Sequence, residues 1–199
     1  MATNTANSIL KRIRAKHRGW VFTPRQFGHL GTRAAVDQAL SRLHRSGYIR
    51  RLTRGVYEFP KIHPQIGVLS PSPEAIAKAI AERTGSRIMI SGAKAANLLG
   101  LSTQVPAQNL FLTEGPSRKV RIGNQTISLK HVARSKMIGA GTEAGIVIQA
   151  VRSLGQKGVN EIPVQALAKR LPRPVKAAVK RLAPAAPAWS HPILTQISA

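Results

Sequence analysis

The chain has 199 residues, 43% of them hydrophobic, which is enough to bury a core, and carries 31 Lys and Arg against 7 Asp and Glu, a formal +24. A surplus of that size repels itself until counter-charge arrives, so a polyanion is the expected partner; an anionic membrane surface and an acidic protein are the alternatives to nucleic acid. There is no Cys, which excludes disulfides and thiolate-held metal, and no apolar run approaches the about 18 residues that span a bilayer.

The opening stretch MATNTANSILKRIRAKHRG lacks an apolar signal core, so a cytoplasmic location is expected. Within it, Asn4 to His17 carries Ile9, Leu10, Ile13 and His17 on one helical side and Lys11, Arg12, Arg14, Lys16 and Arg18 around the rest. That apolar side is short and lacks Trp or Phe, which favours core packing over membrane binding. Gly19 stops this helix, Trp20-Val21-Phe22 is extended, and Thr23-Pro24 caps a brief helix to Leu30. Thr32 then caps a third helix with Val36, Ala39, Leu40 and Leu43 at buried spacing, and Ser46-Gly47 ends it. Tyr48 to Leu52 and Val56 to Phe59 read as two strands joined by a Thr53-Arg54-Gly55 turn.

Three helices followed by a basic hairpin is the order of a winged helix-turn-helix, whose third helix enters the major groove. Opposite its buried stripe that helix collects Ala34, Gln38, Ser41, Arg42 and Arg45, small, polar or cationic and never acidic. Gln38 suits adenine N6 and N7, Arg42 or Arg45 suits guanine O6 and N7, and Ser41 and Ala34 suit base edges or thymine methyls. Arg33, beside Thr32 at the helix start, and Arg50, Arg51 and Arg54 on the hairpin are expected at phosphates. Residues 1–61 hold 13 Lys and Arg against Asp37 and Glu58, a net +11, so charge follows the motif.

Residues 62–73 are rich in proline and read as a linker. An α+β domain is expected over 74–183. It holds a helix from Glu74 to Thr84, a strand over 87–90, a Ser91-capped helix with Leu98 and Leu99 in the core, a strand over 109–113, and a hairpin turning at Gly123-Asn124. Helices from Thr142 to Leu154, Pro163 to Leu171 and Pro174 to Leu182 follow. Residues 184–199, with Pro184, Pro187 and Pro192, are expected as an irregular tail anchored by Trp189. The fold class is therefore α+β, an N-terminal winged helix-turn-helix followed by a small mixed domain that ends in helices.

No catalytic constellation stands out. Seven acids supply no carboxylate pair of recognisable spacing, and no His-x-x-x-His or phosphate-loop lysine occurs. Gly139 to Gly145 resembles a dinucleotide loop only superficially, because its third glycine comes one residue late. No enzyme activity, cofactor or metal site is expected.

The stretch SGYIRRLTRGVYEFP, followed by SGAKAANLLGLSTQVPAQNLFLTEGPSRKVRIGNQTISLKH, resembles the AbiEi-type antitoxins of bacterial type IV toxin–antitoxin systems. The matching positions are Gly92-Ala93, Ala95-Ala96, Leu98 to Leu101, Gln104-Val105-Pro106 and Thr113. The resemblance implies a winged helix that represses its own operon on double-stranded DNA and a second domain that counteracts a nucleotidyltransferase-like toxin. It also implies a bacterial cytoplasmic setting. Lys94, Arg118, Lys119, Arg121 and Lys130 are then the expected antitoxin surface, meeting either the toxin or its RNA substrate. The competing expectation is a non-specific architectural nucleic-acid binder, since residues 62–138 carry +7 and 139–199 carry +6.

Overall fold

A computed structural model describes residues 2–158 and 163–199. The architecture is mixed α+β, and Cα proximity divides the chain into two compact units, 1–86 with 120–127 and 87–119 with 128–199.

The first unit opens with α1 (Ala2–Arg14), β1 (Val21–Phe22), a 3-10 helix over Pro24–Leu30 and α2 (Arg33–Arg45). β2 (Arg50–Thr53) and β3 (Val56–Glu58) follow, and the three strands form an antiparallel sheet in the order β1-β3-β2. Ile9 and Ile13 from α1, Val36, Ala39 and Leu40 from α2, and Phe22, Phe27, Ile49, Tyr57 and Phe59 build one core on one side of this sheet. Trp20, Phe22, Phe27 and Tyr57 interlock as ring pairs with centroids 4.6 to 6.1 Å apart.

Residues 62–73, expected as a linker, instead begin with a two-stranded ribbon, β4 (Ile62–His63) and β5 (Gly67–Val68). After it comes α3 (Pro73–Thr84), capped by Ser72 and closed by Gly85, which groups with the first unit rather than starting the second. Strand pairing explains why. Val21 is opposite Glu58 and Phe22 opposite Tyr57, so Tyr57 and Phe22 face the α1–α2 core while Val21, Val56 and Glu58 face the other way. α3 packs on β1 and β3 and buries Ile76, Ala77, Ala79, Ile80 and Ala81, so it covers that second face. Its end is clasped by the 3-10 helix: Gln26 Nε2 donates to Glu82 Oε2 at 2.8 Å, and Arg25 Nη1 to the Glu82 carbonyl at 3.0 Å.

The second unit has β6 (Ile88–Ile90), α4 (Gly92–Leu98) and β7 (Asn109–Thr113); of β8 (Arg118–Ile122) and β9 (Gln125–His131) it holds only the residues outside 120–127, and the strand order is β6-β7-β9-β8. The turn of the β8–β9 hairpin falls within the 120–127 segment. α5 (Glu143–Gly158) is interrupted by non-helical Gly155, and α6 (Val164–Arg170) and α7 (Arg173–Leu182) follow.

Residues 184–199, expected as an irregular tail, are ordered into 3-10 turns and α8 (His191–Ser198). Pro192 sits in the first turn, where a missing N–H costs nothing, and Ile193, Leu194 and Ile197 enter the core formed with Val147, Ile148, Val151, Leu167 and Val179. Trp189 packs against the same core. Leu98, expected inside, is 53% exposed, while Leu99 packs inward.

The Gly139–Gly145 stretch has a packing explanation. A Cβ on Gly145 would lie 2.0 Å from the Gly139 carbonyl oxygen, so glycine lets the α5 start approach its own entry loop. Thr142 Oγ1 accepts the Gly145 N–H at 3.1 Å and caps the helix there.

Candidate nucleic-acid interface

α2 begins where Thr32 Oγ1 accepts the Ala35 N–H at 3.3 Å. Its buried residues point into the α1–α2 core, which fixes the opposite side outward. Ala34, Gln38, Ser41 and Arg45 recur at i, i+4, i+7 and i+11 and form one outer stripe, with Arg42 beside it. All are exposed except Ser41, which is half-buried and accepts a long 3.4 Å hydrogen bond from Arg45 Nη2. The five residues read together in the sequence therefore share a surface. It presents a carboxamide, a hydroxyl and two guanidiniums with no carboxylate among them, the donor–acceptor set that base edges accept.

Arg33 is flanked by Asp37. Its Nε lies 2.7 Å from Asp37 Oδ2, an i,i+4 pair whose side chains are 69% and 47% exposed. Such a pair stabilises little, about 0.3 to 0.5 kcal/mol, so a phosphate can exchange for the carboxylate at small cost.

The hairpin treats its three arginines differently. Arg51 is exposed on β2, and Arg54 is exposed at the turn, where its carbonyl accepts a hydrogen bond from the Arg83 guanidinium. Arg50, expected at a phosphate, is held elsewhere. Its Nη2 lies 2.7 Å from Glu58 Oε2, its Nε donates to the same oxygen at 2.9 Å, and its Nη2 also reaches the Leu69 carbonyl at 3.4 Å. Glu58 has no exposed side-chain surface. Burial raises its carboxyl pKa, and the Arg50 hydrogen bond and charge oppose that rise. The physical reason for this pairing is α3: once it covers the Glu58 face, a carboxylate there requires a cation, and Arg50 stands directly opposite in the ladder.

Cations outside α2 and the hairpin also acquire structural duties. Arg18 stacks 4.7 Å from the Phe59 ring centroid and donates to the Pro60 carbonyl at 3.1 Å. Arg14 lies over the Tyr48 ring and donates to its hydroxyl at 3.2 Å. The available signal was the run of aromatic positions, Trp20, Tyr48 and Phe59, alongside a basic first helix. His44, absent from the expected set, is exposed on α2, with Nδ1 3.4 Å from the Ile49 carbonyl.

The five basic residues expected on the second domain do not share one face. Lys119 and Arg121 are both exposed and alternate on one side of β8, whereas Arg118 is half-buried on the side of Ile122. Lys130 is exposed on β9 and Lys94 is half-buried in the first turn of α4. Among the described residues no group of three His, Asp or Glu is placed to hold a metal, and no helix is long and apolar enough to cross a membrane.

No curated protein matches the sequence. The crystal structure of the RV2827C protein from Mycobacterium tuberculosis is similar at a TM-score of 0.43 and 15% identity, covering 98% of this chain and 80% of that one. Residues 8–178 match the model of DUF6088, a family of unknown function, and the chain belongs to that family.

Proposed function

We propose that the first unit is a winged helix-turn-helix, with α2 as the major-groove reader and the β2–β3 hairpin as the wing, and that the chain is a DNA-binding autorepressor. The observation that carries this reading is the acid-free outer stripe of α2, exposed Ala34, Gln38 and Arg45 with half-buried Ser41 among them, on a helix whose other side is locked into the core. The element order helix, strand, short helix, helix, hairpin supports it, as does the net charge. On this reading Gln38, Arg42 and Arg45 read bases and Ser41 and Ala34 line the groove. Thr32 and Arg33 meet the backbone at the helix start, and Arg51 and Arg54 meet it from the wing.

The second part of the proposal is that the chain acts as the antitoxin of a bacterial type IV toxin–antitoxin operon and counteracts a nucleotidyltransferase-like toxin. Support comes from the resemblance of SGAKAANLLGLSTQVP and the strands after it to AbiEi-type antitoxins. Lys119, Arg121 and Lys130 are the exposed cations available there for an acidic toxin surface or its RNA.

Band-shift measurements compare the duplex upstream of the chain's own gene with a random duplex across salt. A protein that holds about 6 to 10 phosphates loses about 10³ to 10⁵ in affinity between about 50 and 200 mM salt. A flat salt response sinks the electrostatic part of the reading, and equal affinity for both duplexes replaces the repressor by an architectural binder. The antitoxin part is scored separately, as survival of colonies that express a nucleotidyltransferase-like toxin from the same operon with and without this chain. No rescue overturns it.

A further inference from the structure

The β4–β5 ribbon carries the densest group of exposed large hydrophobic side chains among the described residues. Ile62 is 58% exposed, Ile66 70% and Val68 48%, three of the five large hydrophobic side chains left in solvent, and all lie within seven residues. Ile62 and Val68 are directly paired across the ribbon and so share a face. The tip is Pro64-Gln65-Ile66, closed by Gly67 at φ +75 and by the Gln65 N–H donating to His63 Nδ1 at 3.2 Å.

A two-stranded ribbon this short is marginal alone, so its base needs support. It has that support. Leu69 N donates to the Lys61 carbonyl at 2.9 Å and extends the ladder, Arg18 holds the Pro60 carbonyl, and Arg50 holds the Leu69 carbonyl. The Arg50–Glu58 pair, with its carboxylate buried, therefore anchors the ribbon to the sheet that carries the hairpin. The tip is apolar, the base is braced, and exposing the tip costs hydration free energy without a packing return within the unit.

Charge identifies the occupant. From Phe59 to Pro73 there is no acidic residue, and Lys61 and His63 alternate with Ile62 onto the ribbon's other face, so the arm approaches a polyanion without repulsion. Isoleucine and proline are residue types that wedge between base steps when a protein enters the minor groove. From these observations we infer that the 61–69 ribbon is a second DNA arm, which places Ile66 and Pro64 against a base step in the minor groove and kinks the duplex. This rests on the DNA-binding reading of α2 and adds a deformation to it.

The test uses the full chain on the duplex upstream of its own gene. Fluorescence transfer between the duplex ends reports the bend, permanganate reactivity of thymines reports unstacking, and band shift reports affinity. Wild-type protein is expected to kink the duplex by about 20 to 90° and to make thymines at one step reactive. Ile66→Ser, at a largely exposed position, is expected to keep the fold and the binding while losing both the kink and the reactivity. Pro64→Ser is expected to reduce both. Lys61→Ala is expected to weaken binding and preserve the kink in the complexes that form. If wild-type protein binds the duplex without a kink or reactive thymines, the arm proposal fails and the α2 reading stands. If Ile66→Ser retains the full kink, the arm meets something other than duplex DNA. If wild-type protein binds no duplex, the α2 reading fails and takes the arm with it.

Discussion

Arg45 and Arg50 are near neighbours in sequence and end in opposite environments. Arg45 lies on the outer stripe of α2, its guanidinium exposed beside Ser41, whereas Arg50 is drawn to a carboxylate with no solvent contact. The difference lies in what covers the far side of each element. Ala34, Gln38 and Arg45 of the α2 outer stripe stand exposed, while α3 closes the second face of the sheet and turns Glu58 into a buried charge that must be paired. Basic residues therefore divide into those left for a partner and those consumed by the fold, and sequence position alone does not sort them.

The largest way to break this contrast is to remove α3. Residues 1–61 hold the whole expected DNA-binding domain but leave Val21, Val56 and Glu58 uncovered, whereas residues 1–86 retain the cover. Burial of Ile76 and Ile80 alone contributes about 3 to 6 kcal/mol, a large part of the about 5 to 15 kcal/mol that holds a domain folded. The shorter fragment is expected to show no cooperative thermal transition by circular dichroism and the longer one a sharp transition. A cooperative melt of 1–61 would show that α3 is dispensable.

Next comes the Arg50–Glu58 pair, of which the carboxylate is buried. Arg50→Ala leaves Glu58 uncompensated and is expected to cost about 3 to 5 kcal/mol, measured by denaturant unfolding, with Arg50→Met combined with Glu58→Leu recovering most of it. The pH dependence has a definite sign. The folded pKa of Glu58 is raised above its unfolded value, chiefly by burial, so the stability it contributes is fully present below the unfolded pKa. It is lost as pH rises through the folded one. Without Arg50 the rise is larger, so the deficit of Arg50→Ala should shrink on acidification from neutral toward the carboxylate range. A deficit that grows on acidification would mean Glu58 is not the group left unpaired.

A smaller effect probes the second unit. Gly145→Ala places a methyl 2.0 Å from the Gly139 oxygen, and the α5 start must shift, at a cost of about 1 to 3 kcal/mol. Calorimetry of the full chain measures it, and an unchanged transition temperature would show that the loop yields freely.

These positions also show how far local signals carry. α2 was legible because its cap, its buried spacing and its Ser46-Gly47 stop all lie within the helix itself. The shared outward direction of Gln38, Ser41 and Arg45 follows from the same periodicity. The fate of Arg50 was not, because it depends on α3, more than twenty residues downstream and read as part of another domain. Prolines misled twice for a related reason: Pro60, Pro64 and Pro192 signal a break in a ladder or helix, but a proline at a ribbon tip or in a first helical turn interrupts nothing. Leu98 shows the limit of hydropathy, since α4 packs through Ala95, Ala96 and Leu99 and the helical turn carries Leu98 outward.

The central claim is that α2 reads sequence while the hairpin holds the backbone, and it is tested most directly by comparing Gln38→Ala with Arg54→Ala. Affinity is measured for the duplex upstream of the gene and for a random duplex at one fixed salt concentration. The account predicts that Gln38→Ala costs about 1 to 3 kcal/mol on the upstream duplex and leaves random-duplex binding nearly unchanged, whereas Arg54→Ala weakens both alike. Parallel losses on both duplexes for Gln38→Ala would contradict the account and leave a protein that binds DNA by charge alone.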